Sequence, residues 1–392
     1  MPADHRFEIP TPRANFIVMA DSLLMTGVLW ITILRTRGAL KPTPREACIV
    51  AWGLTLLVAL TAMITVLGMI HPKLVERTIL SVVHGTLYHW TWIAAFVMTN
   101  LAFAISCNAR RLHTVIGGVS ILAALCTTLL HAAGIRFIEY TQVYSFQGYH
   151  RPHGILLTPL EAGLVGLLGW AWGLGWSMEK NAKQVAGLFL AGLSTATVYL
   201  TFSRSAWLGL GIAILVGLLW ARSQAALWKP LLVTLMTFAL CSVGLPTGWQ
   251  RGVYAAQGDK SVLNRLVSWS EFPTQLIRYP FGVTGEPADG INQDIRVGSV
   301  VNFYLDVGFQ HGVLPFVLTL WLVGLLLRYV WRGGQQGSQA GIWGLGVIAT
   351  AVCLVFMNPC WDLLASALWG GLWGMVSAME VKPDATTRVH AD

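Results

Sequence analysis

Charge is what this sequence has least of. Lys, Arg, Asp and Glu make up 11% of its 392 residues, where a soluble globular chain carries about 25%. That deficit excludes an ordinary water-soluble domain. Cysteine is also sparse, and Cys48, Cys107, Cys126, Cys241, Cys353 and Cys360 are scattered, with no CxxC and no His/Cys pair at zinc spacing. Neither a disulfide framework nor a structural zinc site is expected, and these thiols read as small apolar side chains. HExxH, GxSxG and DxD are missing, so the usual zinc-protease, serine-hydrolase and metal-held sugar-nucleotide patterns do not apply. Glu286, Asp289 and Asp294 cluster in GEPADGINQD at a spacing that fits no calcium loop and read as solvated loop acids. No metal or other cofactor is called for. No internal repeat appears either, which argues against a transporter made of two similar halves.

What the chain has instead is apolar length. Hydrophobic residues reach 55%, with 40 Gly and 18 Trp, both common in membrane proteins. Runs long enough to cross a hydrocarbon core of about 30 Å fall near 14–34, 47–70, 79–106, 114–134, 155–178, 185–202, 206–221, 230–246, 312–331, 341–357 and 361–378. The expected fold is therefore an all-α polytopic membrane protein of about 11 spans, within a range of about 10–12. The polar N-terminus MPADHRFEIPTPR leads into no small-residue cleavage site, so a cleavable leader is not expected.

The net charge of +8 does not point to nucleic acid, because the basic residues sit in short runs beside the spans, as topology determinants do. Arg35, Arg37, Lys41 and Arg45, then Arg110 and Arg111, Lys180 and Lys183, Arg222 and Lys229, and Arg328 and Arg332 occupy alternate loops. Those loops are assigned to the cytoplasm, together with the tail holding Lys382 and Arg388, while Lys73 and Arg77 run against the pattern.

The opposite loops are 135–154, the SRS turn at 203–205, the long segment 247–300 and the NPCWD turn at 358–362. They carry more cations than outward loops should: Arg136, His150, Arg151 and His153 in the first, Arg204 in the second, and Arg251, Lys260, Arg265, Arg278 and Arg296 in the third. A lone interfacial Arg204 could simply snorkel to the headgroups. Several guanidinium groups on one side suit the oxygens of a diphosphate, which they bind bidentately. Asp21, Glu161 and Asp306 lie in or beside spans, where charge is expensive and often functional, although Glu161 could equally cap a helix starting after Pro159.

Four segments then resemble the O-antigen ligase/O-antigen polymerase family of bacterial inner-membrane glycosyltransferases. HRPHGILLTPLEAG, with Arg151 and Gly154, resembles its Arg-x-x-Gly stretch before a Pro-containing span. TFSRSAWLGL resembles its Ser-Arg motif, with Arg204 in the key position. NRLVSWSEFPTQLIRYPFGVTG resembles an Arg-x-x-x-Trp helix followed by Pro-x-Gly-x-Gly, through Arg265, Trp269, Pro280, Gly282 and, one residue late, Gly285. VNFYLDVGFQHGVLP resembles a His-Asn-x-x-Leu segment, with Asn302, Leu305 and Gly308 matching.

The resemblance implies a multi-span helical bundle of the metal-independent glycosyltransferase type. Residues 1–246 and 301–378 would form the bundle, 247–300 a periplasmic helical cap and 379–392 a cytoplasmic tail. It implies inverting transfer of a glycan from undecaprenyl diphosphate, at the periplasmic face, to lipid A–core or to the next lipid-linked repeat unit. Arg204, Arg265 and Arg151 would bind the diphosphate. The family's His before the Asn is Val301 here, and a valine takes no proton. His311 lies about 80° around and roughly 15 Å along an ideal helix from Val301. His150, His153, Asp306 or Glu286 could supply a base from elsewhere. The missing His tilts the reading from ligase towards polymerase. A transporter of lipid-linked oligosaccharide is the alternative of another class.

If the orientation holds, a cysteine replacing Ser261 reacts with an impermeant thiol reagent in intact spheroplasts of a variant lacking other accessible thiols. Labelling only after the membrane is opened reverses the assignment.

Overall fold

The computed structural model describes residues 91–93, 95, 96 and 99, then 109–134, 145, 146 and 149–152, most of 154–250, residue 266, most of 269–277 and most of 302–379. The expected spans at 14–34 and 47–70, most of 79–106 and the tail beyond 379 lie outside the described residues. From residue 109 the helices are α1 (Ala109–Ala132), α2 (Pro159–Ser177), α3 (Ala182–Leu200), α4 (Arg204–Ala221), α5 (Trp228–Gly244), α6 (Phe303–His311), α7 (Val313–Gln335), α8 (Gln339–Leu354) and α9 (Leu363–Ala378). Each expected span from 114 onward coincides with one of them. Arg204–Ala221 and Ala225–Gly244, the latter joining a 3-10 turn to α5, are long and apolar enough to cross a bilayer, and Ile116–Ala132 and Ala340–Val355 are shorter apolar stretches.

Three features differ from the sequence expectation. Ser145–Phe146 (β1) and Tyr149–His150 (β2) pair antiparallel, Ser145 opposite His150. A separate helix, α6, precedes α7. The chain also reverses at Thr201–Ser203, two residues ahead of the expected SRS turn, because Ser203 is already extended and Arg204 is helical.

Capping fixes several of these starts. Thr158 accepts a hydrogen bond from the Leu160 N–H, and Pro159 follows at the first helical position. Asn302 accepts from the Leu305 N–H and Asp362 from the Ala365 N–H. Each short side chain satisfies an orphan donor of the first turn.

The helix α2 is buried along nearly its whole length. It lies against α3 through small residues: a Cβ on Gly173 would sit 2.6 Å from the Ala191 nitrogen, and one on Gly166 2.8 Å from Val198. On α9, Gly370 and Gly374 form a GxxxG step, and a Cβ at either would strike the carbonyl of Trp92 or Phe96. Such steps let backbones approach where lipid leaves little hydrophobic drive between helices. Trp92 then stacks on Trp369 at 4.7 Å, with Phe303 edge-on to both. Polar ties cross the bundle: Trp170 donates to Thr234 at 2.9 Å, Trp373 to Thr350 at 2.8 Å, and Thr128 and Thr197 share a 2.7 Å bond. Val185, Phe189, Leu232, Met236, Leu240 and Val243 stand exposed outside, a surface suited to lipid rather than water.

Gly374→Leu is expected to lower the unfolding temperature in detergent by several degrees, since overpacking costs about 1–3 kcal/mol and the obstacle is backbone. Gly324→Leu, where nothing lies within 4 Å of the added Cβ, leaves it unchanged or raises it. Differential scanning fluorimetry on the two variants makes the comparison.

Candidate functional site

The reversal between α3 and α4 carries Arg204. Thr201 closes α3, Phe202 turns the chain with φ 49°, and Ser203 is the N-cap of α4. A left-handed phenylalanine is unusual and is kept only where its surroundings over-determine it. Here Phe202 is fully buried, edge-on to Tyr199 at 5.9 Å and to Trp207 at 6.1 Å. The Thr201 hydroxyl donates to the Val198 carbonyl, the Trp207 indole N–H donates to the same carbonyl, and the Trp207 backbone N–H donates to Ser203. Ser203 and Ser205 share a 3.0 Å bond between their hydroxyls. Tyr199 stacks on Trp207 at 5.2 Å and donates to the Leu245 carbonyl at 2.8 Å. Arg204 thus begins its helix on a fixed support.

Arg151 braces that support from behind. It is buried, and its Nε donates to the Thr201 carbonyl at 2.8 Å. The sequence marked Arg151 as a phosphate ligand. The structure gives it a bond to the turn that presents Arg204.

Alternate helix ends meet at the same level. The first turn of α2 touches the turn, since a Cβ on Gly163 would lie 3.0 Å from Ala206, 3.1 Å from Ser203 and 3.2 Å from Thr201. Further down, Gly209 of α4 packs on the Ala349 carbonyl of α8, so the antiparallel α8 ends beside Arg204. Past that end, the Met357 carbonyl accepts the Phe303 N–H, and the Asn358 amide donates to the Asp306 carboxylate at 2.6 Å. Glu161, 3% exposed, has Arg151 and Asp362 as electrostatic neighbours. The N-termini of α2, α4, α6 and α9 therefore share one end of the bundle, where their dipoles face the Glu161, Asp306 and Asp362 carboxyl groups as well as Arg204. Glu179, Lys183, Arg222, Arg332 and the 334–337 turn lie at the other end, where Gln224 bonds to the Gly334 carbonyl.

Among the other sequence-marked residues, Asn302 caps α6 and Asp306 is buried on it. Trp269 packs against Phe356 at 5.6 Å, and Phe272 of the same helical stretch packs against Phe316 at 4.9 Å and fills the space beside Gly308. His150 ends β2, and His311 ends α6. Arg265, Gly282, Glu286, Val301 and His153 lie outside the described residues. The unbroken α6 puts His311 about 13 Å along the axis from Asn302. Among the described residues no three His, Cys, Asp or Glu side chains come together as a metal-binding group. Sequence reasoning did not pair Asp306 with Asn358 or bring Glu161 towards Asp362; the only available signal was the polar NPCWD break between two apolar runs.

Residues 189–320, about a third of the chain, match a protein-family model. That model is the O-antigen ligase family. None of the curated proteins matches the chain. The O-antigen ligase match takes in α3 from residue 189, the Arg204 turn, α4, α5, α6 and α7 as far as residue 320, and so covers three of the four motif segments. It supports the O-antigen ligase/polymerase family, whose members are membrane proteins of lipopolysaccharide biosynthesis that act on lipid-linked glycans and sugar acceptors. Arg151 and the Thr158 cap of α2 lie upstream of it.

Arg151→Ala leaves the Thr201 carbonyl buried without its charged donor. The expected loss is about 1.5–3 kcal/mol of stability, and Arg151→Lys recovers only part of it because its nitrogen lies beyond the Nε position. Thermal unfolding of the three proteins in one detergent reads out the order.

Proposed function

We propose that this protein is an inverting, metal-independent glycosyltransferase of the bacterial inner membrane, with about eleven spans and a periplasmic cap over 247–300. It moves a glycan from undecaprenyl diphosphate to an acceptor sugar on the periplasmic side. The observation that carries this reading is the placing of Arg204 at the first position of α4, on a braced turn, within the segment that matches the O-antigen ligase family. Four helix N-termini at the same end add to its pull on an anion.

As the bond between sugar and phosphate breaks, negative charge develops on the lipid diphosphate. Arg204, with Arg265 of the cap, neutralises it, and because the site is held in advance little reorganisation is needed. The diphosphate leaving group supplies the driving force. Asn302 and Trp269 are motif positions beside the site, the first capping α6 and the second packed on Phe356. Val301 in place of the family His leads us to favour chain polymerisation over ligation to lipid A–core. A deletion strain decides between them: a polymerase leaves core carrying at most one repeat unit on a surface-polysaccharide gel, whereas a ligase leaves bare core.

Arg204→Ala is expected to lower glycan transfer in proteoliposomes by about 10²–10³-fold with the protein still inserted and folded. Arg204→Lys is expected to fall nearly as far, since an ammonium cannot reproduce the bidentate fork. Normal transfer by the lysine variant would show that Arg204 only anchors its helix at the interface and would remove the phosphate-binding role.

A further inference from the structure

We infer that the open face of α4 beneath Arg204 seats the lipid tail of the donor, an inference that rests on the lipid-diphosphate reading above. At 100° per residue, Arg204, Leu208, Gly211, Leu215 and Leu219 fall within about 80° of one another. They form one stripe running down the helix from the cation. The opposite face, with Ser205, Ala206, Gly209, Leu210, Ala213 and Gly217, is the buried one, and Gly209 presses it against α8. The stripe is turned away from the bundle: Leu208 is 43% exposed, Leu215 63% and Leu219 50%. Between Leu208 and Leu215, an added Cβ on Gly211 would meet nothing within 4 Å, so the stripe has a notch one side chain deep.

Its dimensions and edges suit an isoprenoid chain. From Arg204 to Leu215 the helix rises about 16 Å, close to one leaflet of a hydrocarbon core about 30 Å thick. Trp207, edge-on to Phe238 of α5 at 5.8 Å, makes an aromatic wall beside the top of the stripe. Leu232, Met236, Leu240 and Val243 on α5, and Val313, Val317 and Leu320 on α7, lead to outward ends with no Lys or Arg among the described residues. Surrounding lipid is as apolar as the stripe, so the tail gains little by transfer. What the stripe supplies is registration, which holds the diphosphate at Arg204. The effect belongs in KM for long-tailed donors and not in kcat.

The test fills the notch. In proteoliposomes, Gly211→Trp raises KM roughly tenfold, a change of about 1.4 kcal/mol, for a donor with a full-length polyprenyl tail. It leaves kcat/KM unchanged for the same glycan diphosphate on a five-carbon tail, too short to reach Gly211 about 10 Å below Arg204. Val243→Trp, on the exposed face of α5, changes neither. A second measurement needs no transfer: a glycan-free polyprenyl diphosphate with a diazirine on its tail is photolysed on the wild-type protein. It crosslinks to the 205–219 segment, and Gly211→Trp abolishes the adduct. Equal crosslinking along α5 and α7, or equal loss with both donors in Gly211→Trp, overturns the inference. Stripe-specific crosslinking in a wild-type protein that transfers glycan from neither donor upholds the lipid seat and removes the transferase reading alone.

Discussion

The reversal at Thr201–Ser203 has to be made without help from water. In a lipid environment every backbone donor and acceptor left by a helix end needs a partner within the protein. Here the partners are the Arg151 guanidinium, the Thr201 and Ser203 oxygens and the indole of Trp207. Because the connection is only three residues long, there is no slack in which Arg204 could drift. The same set of bonds that closes two helices therefore fixes where the Arg204 helix begins. Phe202 contributes its strained backbone to that economy, and its buried ring holds it there.

The bundle transmits this rigidity through small residues. Gly163, Gly166 and Gly173 let α2 lie against the Arg204 turn and α3, and Gly209 lets α4 lie against α8. With α2 enclosed on all sides, movement of any neighbour has to be shared with it. The capping groups Thr158, Asn302 and Asp362 finish three helices at the end where Arg204 sits, so polar atoms that a bilayer would penalise are gathered where function can use them.

Much of this could be read from the residues, and the rest could not for definite reasons. Apolar length gave the long helices from 114 onward to within a few residues, since a bilayer demands that length and little else does. Arg204 stood out because an arginine between two apolar runs costs energy, and Glu161 could be read as a cap because Thr158 and Pro159 precede it. The brace from Arg151 to Thr201 spans fifty residues, and the bond from Asn358 to Asp306 spans fifty-two. Periodicity along one helix carries no information about such partners. The reversal was placed two residues late because Phe202 in a left-handed conformation breaks the rule that reserves that region chiefly for glycine. Short α6 was missed because it joins an apolar span without a composition change.

The pattern of neighbours also sets an order of assembly during synthesis. Helix α3 packs chiefly on α2, its predecessor in the chain, whereas α4 packs chiefly on α8 and touches α3 little. As the chain emerges, α3 finds its partner at once. Helix α4 must remain in the bilayer without its main neighbour until more than a hundred further residues have been made. Arg204 is therefore made well before the helix that its own helix chiefly packs against. A chain stopped before α8 would hold the arginine on a helix without its main partner, so premature termination yields an unfinished centre even though the motif itself is already present.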